Sequence, residues 1–241
     1  MKPVNIVEII RKADQGFSEP YLCEGENGSR YYVKGRQSGP RTPITEWIAA
    51  HLARALALPI PDFCLVNISA ELLSVTPVDL KPIGECIAFA SQEVLFTCWL
   101  ELANIHRVPE ALQRDVLVFD WWLRNDDRNR GNINLLWKSD EQALVVIDHN
   151  LAFDPKFDPQ DFFQAHPFGH QWDAITSDMM VRLEYQKLLE AALPAFEQAK
   201  ASIPPSWSWV DKEETIPNTT NINYFKALLA RCHTDQFWTA E

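Results

Sequence analysis

The stretch Asn125-Asp126-Asp127-Arg128-Asn129-Arg130-Gly131-Asn132 gathers acids, amides and two guanidinium groups, and Asp148 closes an apolar run sixteen residues beyond Asn132. A carboxylate that orients a hydroxyl, an amide oxygen that ligates Mg²⁺ and a second carboxylate for the same ion are side chains that phosphoryl transfer requires. That reaction needs positioning and charge neutralisation more than covalent chemistry. The pattern predicts Asp127 as catalytic base and Asn132 with Asp148 as metal ligands. Arg128 and Arg130 either brace the loop against carboxylates or meet the transferred phosphate. Asp126 either supports the loop or stands exposed.

Asp127 is preferred over Asp126 because the step of five residues from Asp127 to Asn132 is that of the catalytic loop of protein kinases. The loop must be delivered by a helix, and the apolar spacing of Leu112, Val116, Phe119 and Leu123 after Pro109 predicts one that ends near Arg124. Strands over Ile133 to Trp137 and Ala143 to Ile147 follow, and their antiparallel pairing would bring Asn132 and Asp148 side by side. Upstream, residues 4 to 10 read as a strand. Gly25-Glu26-Asn27-Gly28 reads as the turn of a hairpin over residues 21 to 34. Alternation on its second strand puts Tyr31 and Val33 on one face and Tyr32 and Lys34 on the other, so Lys34 can point into a cleft.

A helix is expected after Thr42 as N-cap, with Pro43 at its first position and an end at Leu58-Pro59. Its geometry lets Glu46 reach Lys34, or Glu46 simply occupies the first helical turn, where the helix dipole favours an acid. Residues 62 to 69 and 85 to 90 read as further strands, closing a small antiparallel lobe near residue 90. From Ser91 the spacing of Val94, Leu95, Cys98, Trp99 and Leu102 turns helical. Further helices are expected from about Ser177 to Leu193, stopped by Pro194, and near Tyr224 to Arg231, with Pro-Pro-Ser-Trp-Ser-Trp as a connection.

The composition fits this organisation. The chain has 241 residues, 46% hydrophobic and 23% charged, with nine Trp and thirteen Phe, enough for a large core in one domain of two lobes. A net charge of −11 gives no basic footprint for nucleic-acid phosphates. Five cysteines without a CxxC spacing argue for reduced thiols. No stretch is long and apolar enough for a membrane span, so a cytoplasmic protein is expected. His166 and His170 stand four apart, but Pro167 and Gly169 between them favour a packed aromatic segment over a metal site. No GxSxG, Walker A or GxGxxG string occurs.

Gly16-Phe17-Ser18-Glu19-Pro20-Tyr21-Leu22, the strand ending Tyr32-Val33-Lys34, the helix with Glu46 that runs to Leu-Pro-Ile-Pro, the loop Asp127-Arg128-Asn129-Arg130-Gly131-Asn132 and Ile147-Asp148-His149 together resemble the HipA-like kinase family. The likeness spans roughly residues 12 to 172, including His166-Pro167-Phe168-Gly169-His170-Gln171-Trp172. The Asp-Arg-x-x-x-Asn loop is more distantly similar to that of phosphatidylinositol kinases. The resemblance implies ATP as phosphoryl donor and Mg²⁺ as cofactor, with Lys34 on the nucleotide phosphates and Glu46 paired with it. It also implies that Gly16, Phe17 and Ser18 belong to a loop covering the phosphates. Relatives are richer in glycine there, often carry His at position 129, and have Phe-Gly where His149-Asn150 follows Asp148.

The expected architecture is α+β: a two-lobed kinase-like fold over residues 1 to 241, with a sheet lobe to about residue 90, a mostly helical lobe beyond it, and ATP and Mg²⁺ in the cleft between them. The expected activity is transfer of the γ-phosphate of ATP to a Ser or Thr hydroxyl of a protein, the chain itself included. A small-molecule or lipid hydroxyl and a nucleotide-binding scaffold without turnover are the alternatives. A regulatory protein partner fits the reading; direct nucleic-acid or membrane partners do not.

Overall fold

Apolar side chains alternate along the N-terminal strands and point into one interior. The computed structural model describes residues 2–13 and 19–239. They fall into two units interleaved along the chain. The first contains the chain up to Trp47, Pro61–Leu95 and Lys200–Thr220; the second contains Ile48–Ile60, Phe96–Ala199 and the chain from Asn221.

In the first unit, β1 (Val4–Lys12), β2 (Tyr21–Gly25), β3 (Arg30–Lys34), β4 (Phe63–Ile68) and β5 (Cys86–Gln92) close into a barrel in the order β1-β2-β3-β5-β4. The β2–β3 hairpin turns where Gly25-Glu26-Asn27-Gly28 predicts, and Tyr21 pairs with Val33. Closure comes from a short parallel contact, Val4 with Val66 and Asn5 with Asn67, which leaves β1 and β4 without free edges. Two register shifts in β1 supply the bending that a small closed sheet needs. Tyr21, Cys23, Tyr31, Val33, Val66, Ile68, Ala88 and Ala90 fill the interior.

Two helices belong to the connections of this barrel: α1 (Thr42–Ala55) after β3 and α2 (Ala70–Val75) after β4. Thr42 lies within α1 rather than capping it, and its hydroxyl donates to the Ser38 carbonyl at 2.7 Å. The Lys200–Thr220 segment is anchored on the barrel unit. The Trp207 indole donates to the Ile87 carbonyl at 2.7 Å and meets Trp47 edge-on at 6.4 Å. The Asn218 amide donates to the Pro40 carbonyl at 2.8 Å.

The second unit is built around α3 (Glu110–Leu123), buried from Val116 to Leu123. A three-stranded sheet follows from β6 (Thr97–Trp99), β7 (Leu135–Lys138) and β8 (Ala143–Val146), in that order. β6 corrects the helical expectation for residues 91 to 102. The Thr97–Trp99 backbone pairs with β7, and Leu95, Phe96, Trp99 and Leu102 are exposed, so the helix-like spacing has no core face to bury. The helices α4 (Pro159–Ala165), α5 (Trp172–Thr176), α6 (Met179–Ala201), α7 (Ile222–Leu229) and α8 (Asp235–Thr239) complete the elements.

Pro194 does not stop α6 but lies inside it. Leu189 and Ala192 before the proline, and Phe196 and Ala199 after it, continue one buried stripe. That burial outweighs the roughly 3 kcal/mol that an interior proline costs. The Trp121 ring lies within 6 Å of the rings of Phe157, Phe162, Phe163, Trp172 and Phe237, so α4, α5 and α8 pack on the end of α3. All five cysteines are free thiols. Among the described residues no helix is long and apolar enough to cross a membrane.

Gly169 lets the chain after α4 pack closely: a Cβ there would stand 1.9 Å from the Phe163 carbonyl oxygen, a backbone atom that cannot rotate away. Gly169→Ala is expected to cost on the order of 3 kcal/mol through forced backbone displacement. Urea unfolding of the purified variant checks this, and wild-type stability would refute the packing argument.

Candidate active site

Helix α3 ends in a left-handed cap at Arg124 (φ 51°), which turns the chain directly into the Asn125 to Asn132 loop. Asp120, one turn before the cap, interrupts the apolar run Val116-Leu117-Val118-Phe119 and is wholly buried. Its carboxylate accepts from Arg128 Nε at 2.6 Å and from Asn125 Nδ2 at 2.8 Å. Arg128 is as deeply buried, and its Nη1 donates to the carbonyls of Asn134 at 2.5 Å, Ile147 at 3.2 Å and Ile133 at 3.4 Å. One guanidinium therefore ties the end of α3 to the segment that follows Asn132 and to the residue that precedes Asp148. Burial alone would raise the Asp120 pKa, but the Arg128 charge and the His166 hydrogen bond outweigh it and hold the carboxyl well below the usual range.

Asp127 sits half-buried within this frame. Its Oδ2 accepts from Asn134 Nδ2 at 2.8 Å, and it also interacts with the Asn132 side chain. Its pKa is raised, first by burial and then by the negative charge of Asp148, with the Asn132 and Asn134 hydrogen bonds opposing. Asp127, Asn132 and Asp148 are thus brought into one neighbourhood. The pairing of Leu135 with Val146 continues outward through the Ile147 N–H, which donates to the Asn134 carbonyl at 3.2 Å, and sets the two ligand candidates at the same end of the hairpin.

Asn129 shapes the loop from within. Its Oδ1 accepts from Gly131 N–H at 2.9 Å and Asn132 N–H at 3.1 Å, while its Nδ2 donates to the Asp126 and Asp127 carbonyls, each at 3.3 Å. His149 packs its ring edge-on against Phe119 of α3 at 5.5 Å. Asp126 is partly buried, and its pKa is raised by burial and by Asp154. Arg130 is exposed, with its backbone N–H on the Ala165 carbonyl at 3.0 Å.

In the barrel unit, Lys34 at the end of β3 and Glu46 on α1 are both buried and form an ion pair through Lys34 Nζ and Glu46 Oε1. Alternation turns Lys34 away from the interior that holds Tyr31 and Val33. Gly35 follows because a Cβ there would stand 2.3 Å from the Ile83 carbonyl oxygen. Gly16, Phe17 and Ser18 lie outside the described residues.

Asn132 and Asp148 fit a divalent cation of the Mg²⁺ type, which takes one or two protein oxygens and completes its shell with water and phosphate oxygens. No cluster of three or more His, Cys, Asp or Glu suited to a metal occurs among the described residues, so the donors do not suit a dedicated all-protein cage. His166 and His170 do not meet at a metal: His166 is buried against Asp120 and His170 is exposed.

A profile of the HipA-like kinase family matches residues 6–241. The chain belongs to that family. No curated protein matches it in sequence. Solved structures share the fold at low identity. A Helicobacter pylori proinflammatory kinase, CtkA, superposes with a TM-score of 0.52 at 13% identity, over 99% of this chain and 97% of that one. The Golgi casein kinase gives 0.53 at 11% identity, over 100% of this chain and 71% of that one. A Golgi casein kinase structure with Mn/ADP bound gives 0.51 at 12% identity, over 100% and 73%. Family and fold make this chain a protein-kinase-like phosphotransferase.

In this HipA-like kinase three residues beyond those that spacing marks shape the loop: Asp120, Asn134 and His166, the last through Asp120 rather than through the metal site that its spacing from His170 would suggest. Asp120 did leave a signal, since an ionisable residue in the middle of a fully apolar helical run needs a buried partner. Asn134 stands two residues beyond Asn132 with a positive φ of 49° and nothing in its spacing to mark it.

Replacing Asp120 by Asn would leave the Arg128 guanidinium buried without its counter-charge, and a loss of about 3–5 kcal/mol is expected from chemical denaturation. His166 supplies a pH signature. Burial lowers its pKa against the pull of Asp120, so below about pH 6.5 the unfolded chain takes up a proton there that the folded chain does not. Stability should fall on acidification from that point by up to about 1.4 kcal/mol per pH unit, and this component should vanish in His166→Gln. Comparing the two proteins by urea unfolding between pH 7.5 and 5 isolates the imidazole, because the raised carboxyls of Asp126 and Asp127 are common to both.

Proposed function

We propose that the chain is an ATP- and Mg²⁺-dependent protein kinase that transfers the γ-phosphate to a Ser or Thr hydroxyl, its own hydroxyls among the candidate acceptors. The observation that carries this reading is the placement of Asp127. It is a half-buried carboxylate aimed by Asn134, its pKa raised first by burial and then by the charge of Asp148, with Asn132 beside it. A divalent cation on Asp148 and Asn132 would relieve that repulsion and leave Asp127 free to accept a hydroxyl proton.

The roles divide by chemistry. Bound Mg·ATP supplies the phosphoryl group and neutralises its developing charge. Asp127 orients the acceptor hydroxyl and takes its proton, Asn134 holds the carboxylate in place, and Asn132 and Asp148 hold the cation. Lys34, kept extended by Glu46, presents its ammonium to the nucleotide phosphates. The Golgi casein kinase crystallised with Mn/ADP is consistent with a nucleotide and a divalent metal on this fold. A protein acceptor is favoured over a small-molecule or lipid hydroxyl because one solved structure of this fold is described as a casein kinase, a name that gives a protein as the acceptor.

The test is incubation of wild type, Asp127→Asn and Lys34→Met with γ-labelled ATP and Mg²⁺, with or without a generic protein acceptor, followed by mass spectrometry of labelled peptides. Transfer should fall about 10²–10⁴-fold in Asp127→Asn while nucleotide binding persists. Lys34→Met should weaken nucleotide binding as well. Chelation of the metal should abolish transfer. Nucleotide binding by the wild type without metal-dependent transfer to any acceptor would overturn the proposal in favour of a nucleotide-binding scaffold.

A further inference from the structure

We infer that His166 is a positioning residue for phosphoryl transfer: its imidazole, as the neutral Nε2–H tautomer, orients Asp120 and through it the Arg128 guanidinium that holds the catalytic loop and the Asp148 segment in register. The inference deepens the kinase reading above and rests on it.

The chain of contacts is short and wholly buried. His166 Nε2 lies 3.1 Å from Asp120 Oδ2, the same oxygen that accepts from Arg128 Nε at 2.6 Å. His166 Nδ1 lies 3.1 Å from the Phe168 N–H, which can only donate. The tautomer follows from these two neighbours: Nδ1 must be the acceptor, so Nε2 carries the proton and donates it to the carboxylate. An imidazolium would lose the Phe168 bond and add a second cation beside Arg128 in a space without solvent.

The segment that carries His166 is itself fixed. Its own N–H donates to the Phe162 carbonyl at 2.8 Å, its carbonyl accepts from Gly169 N–H at 3.1 Å, and its ring lies 5.1 Å from Phe162 and 5.8 Å from Phe168. One residue earlier, the Ala165 carbonyl accepts from the Arg130 N–H at 3.0 Å. The end of α4 is therefore tied to the loop through the backbone of Arg130 and to α3 through the side chain of Asp120.

A carboxylate has two oxygens, and Asp120 uses them differently. Oδ1 takes Asn125, and Oδ2 takes both Arg128 and His166. Two donors converging on Oδ2 from different elements fix the carboxylate plane, and the guanidinium must follow it. Arg128 in turn carries the Asn134 carbonyl, and Asn134 aims Asp127. Without the imidazole, Asp120 could rotate about its side-chain bonds, and the displacement would reach both Asp127 and Asp148. A shift of 1 Å in reacting groups is worth on the order of 100-fold in rate.

The experiment uses the full chain in three forms: wild type, His166→Leu, which keeps bulk without a donor, and His166→Gln, whose amide can donate to Asp120. Each is assayed at temperatures well below its unfolding midpoint, and amide exchange is followed by mass spectrometry over residues 125–134 and 145–150. His166→Leu should lower kcat about 10–100-fold with KM for ATP nearly unchanged and should speed exchange in both segments. His166→Gln should recover most of both. A Leu variant with wild-type kcat and exchange, or a Gln variant as impaired as Leu, would overturn the inference.

If the wild type transfers no phosphate, the kinase reading fails by itself, and the exchange comparison still decides whether His166 orders the loop. Should either variant fail to fold, long-range ¹H–¹⁵N spectra of the wild-type histidines decide alone. A neutral Nε2–H tautomer for His166 near pH 7 is expected; an Nδ1–H tautomer or an imidazolium would overturn the assignment.

Discussion

The ion pair between Asp120 and Arg128 is the constraint on which the site depends. Both side chains are fully withdrawn from solvent, and stripping water from two charges costs several kcal/mol for each ion before any attraction is counted. The pair is tolerable because Asn125 and His166 satisfy the carboxylate and three backbone carbonyls satisfy one arm of the guanidinium, while Arg128 Nη2 and Asn125 Oδ1 stay buried without a hydrogen-bond partner among the described residues. An apolar pair of similar volume would serve stability as well. It could not bind the carbonyls of Ile133, Asn134 and Ile147 at once, and those carbonyls belong to the segments that carry the metal-ligand candidates. The charge is retained where it sets geometry.

Negative charge is deliberately crowded a few ångströms further out. Burial raises the proton affinity of Asp127 and Asp126, and the charges of Asp148 and Asp154 respectively raise it further. Such an arrangement is unfavourable alone, and a bound cation would relieve it, so that folding free energy is given up for pre-organisation on the kinase reading proposed above. The barrel unit handles charge in the opposite manner. Lys34 and Glu46 neutralise each other in a buried pair, and the lysine keeps a defined direction. Its glycine neighbour is required because the chain passes so close to the Ile83 carbonyl.

Structures with 11–13% identity superpose along nearly the whole of this chain. What such distant sequences share is the fold, which does not by itself fix the chemistry a site on it performs. Within the loop itself, the Asn129 amide caps the backbone internally, and the His149 ring packs edge-on beside Phe119.

Local chemistry was legible in the sequence wherever it depends on spacing along the chain. The β2–β3 hairpin, the direction of Lys34, the helix bearing Glu46 and the order Asp127, Asn132, Asp148 all follow from turn residues, from periods of 2 and 3.6, and from oxygen ligands at fixed intervals. Competition between distant parts of the chain decided the rest. Residues 97–99 had a helical apolar pattern but became the edge strand that satisfies β7. Pro194 remained within α6 because the stripe from Leu189 to Ala199 is buried on both sides of it. Residues 200–220 joined the first unit through Trp207 and Asn218. Asp120, Arg128, Asn134 and His166 span 46 positions between the first and the last, and no local period connects them. The sequence alone determined which groups could perform the chemistry, since that is a matter of residue type and near-neighbour interval. Only the tertiary structure decided which buried charges orient those groups, because a desolvated charge is satisfied by whatever the fold brings within about 3 Å, however far away it lies along the chain.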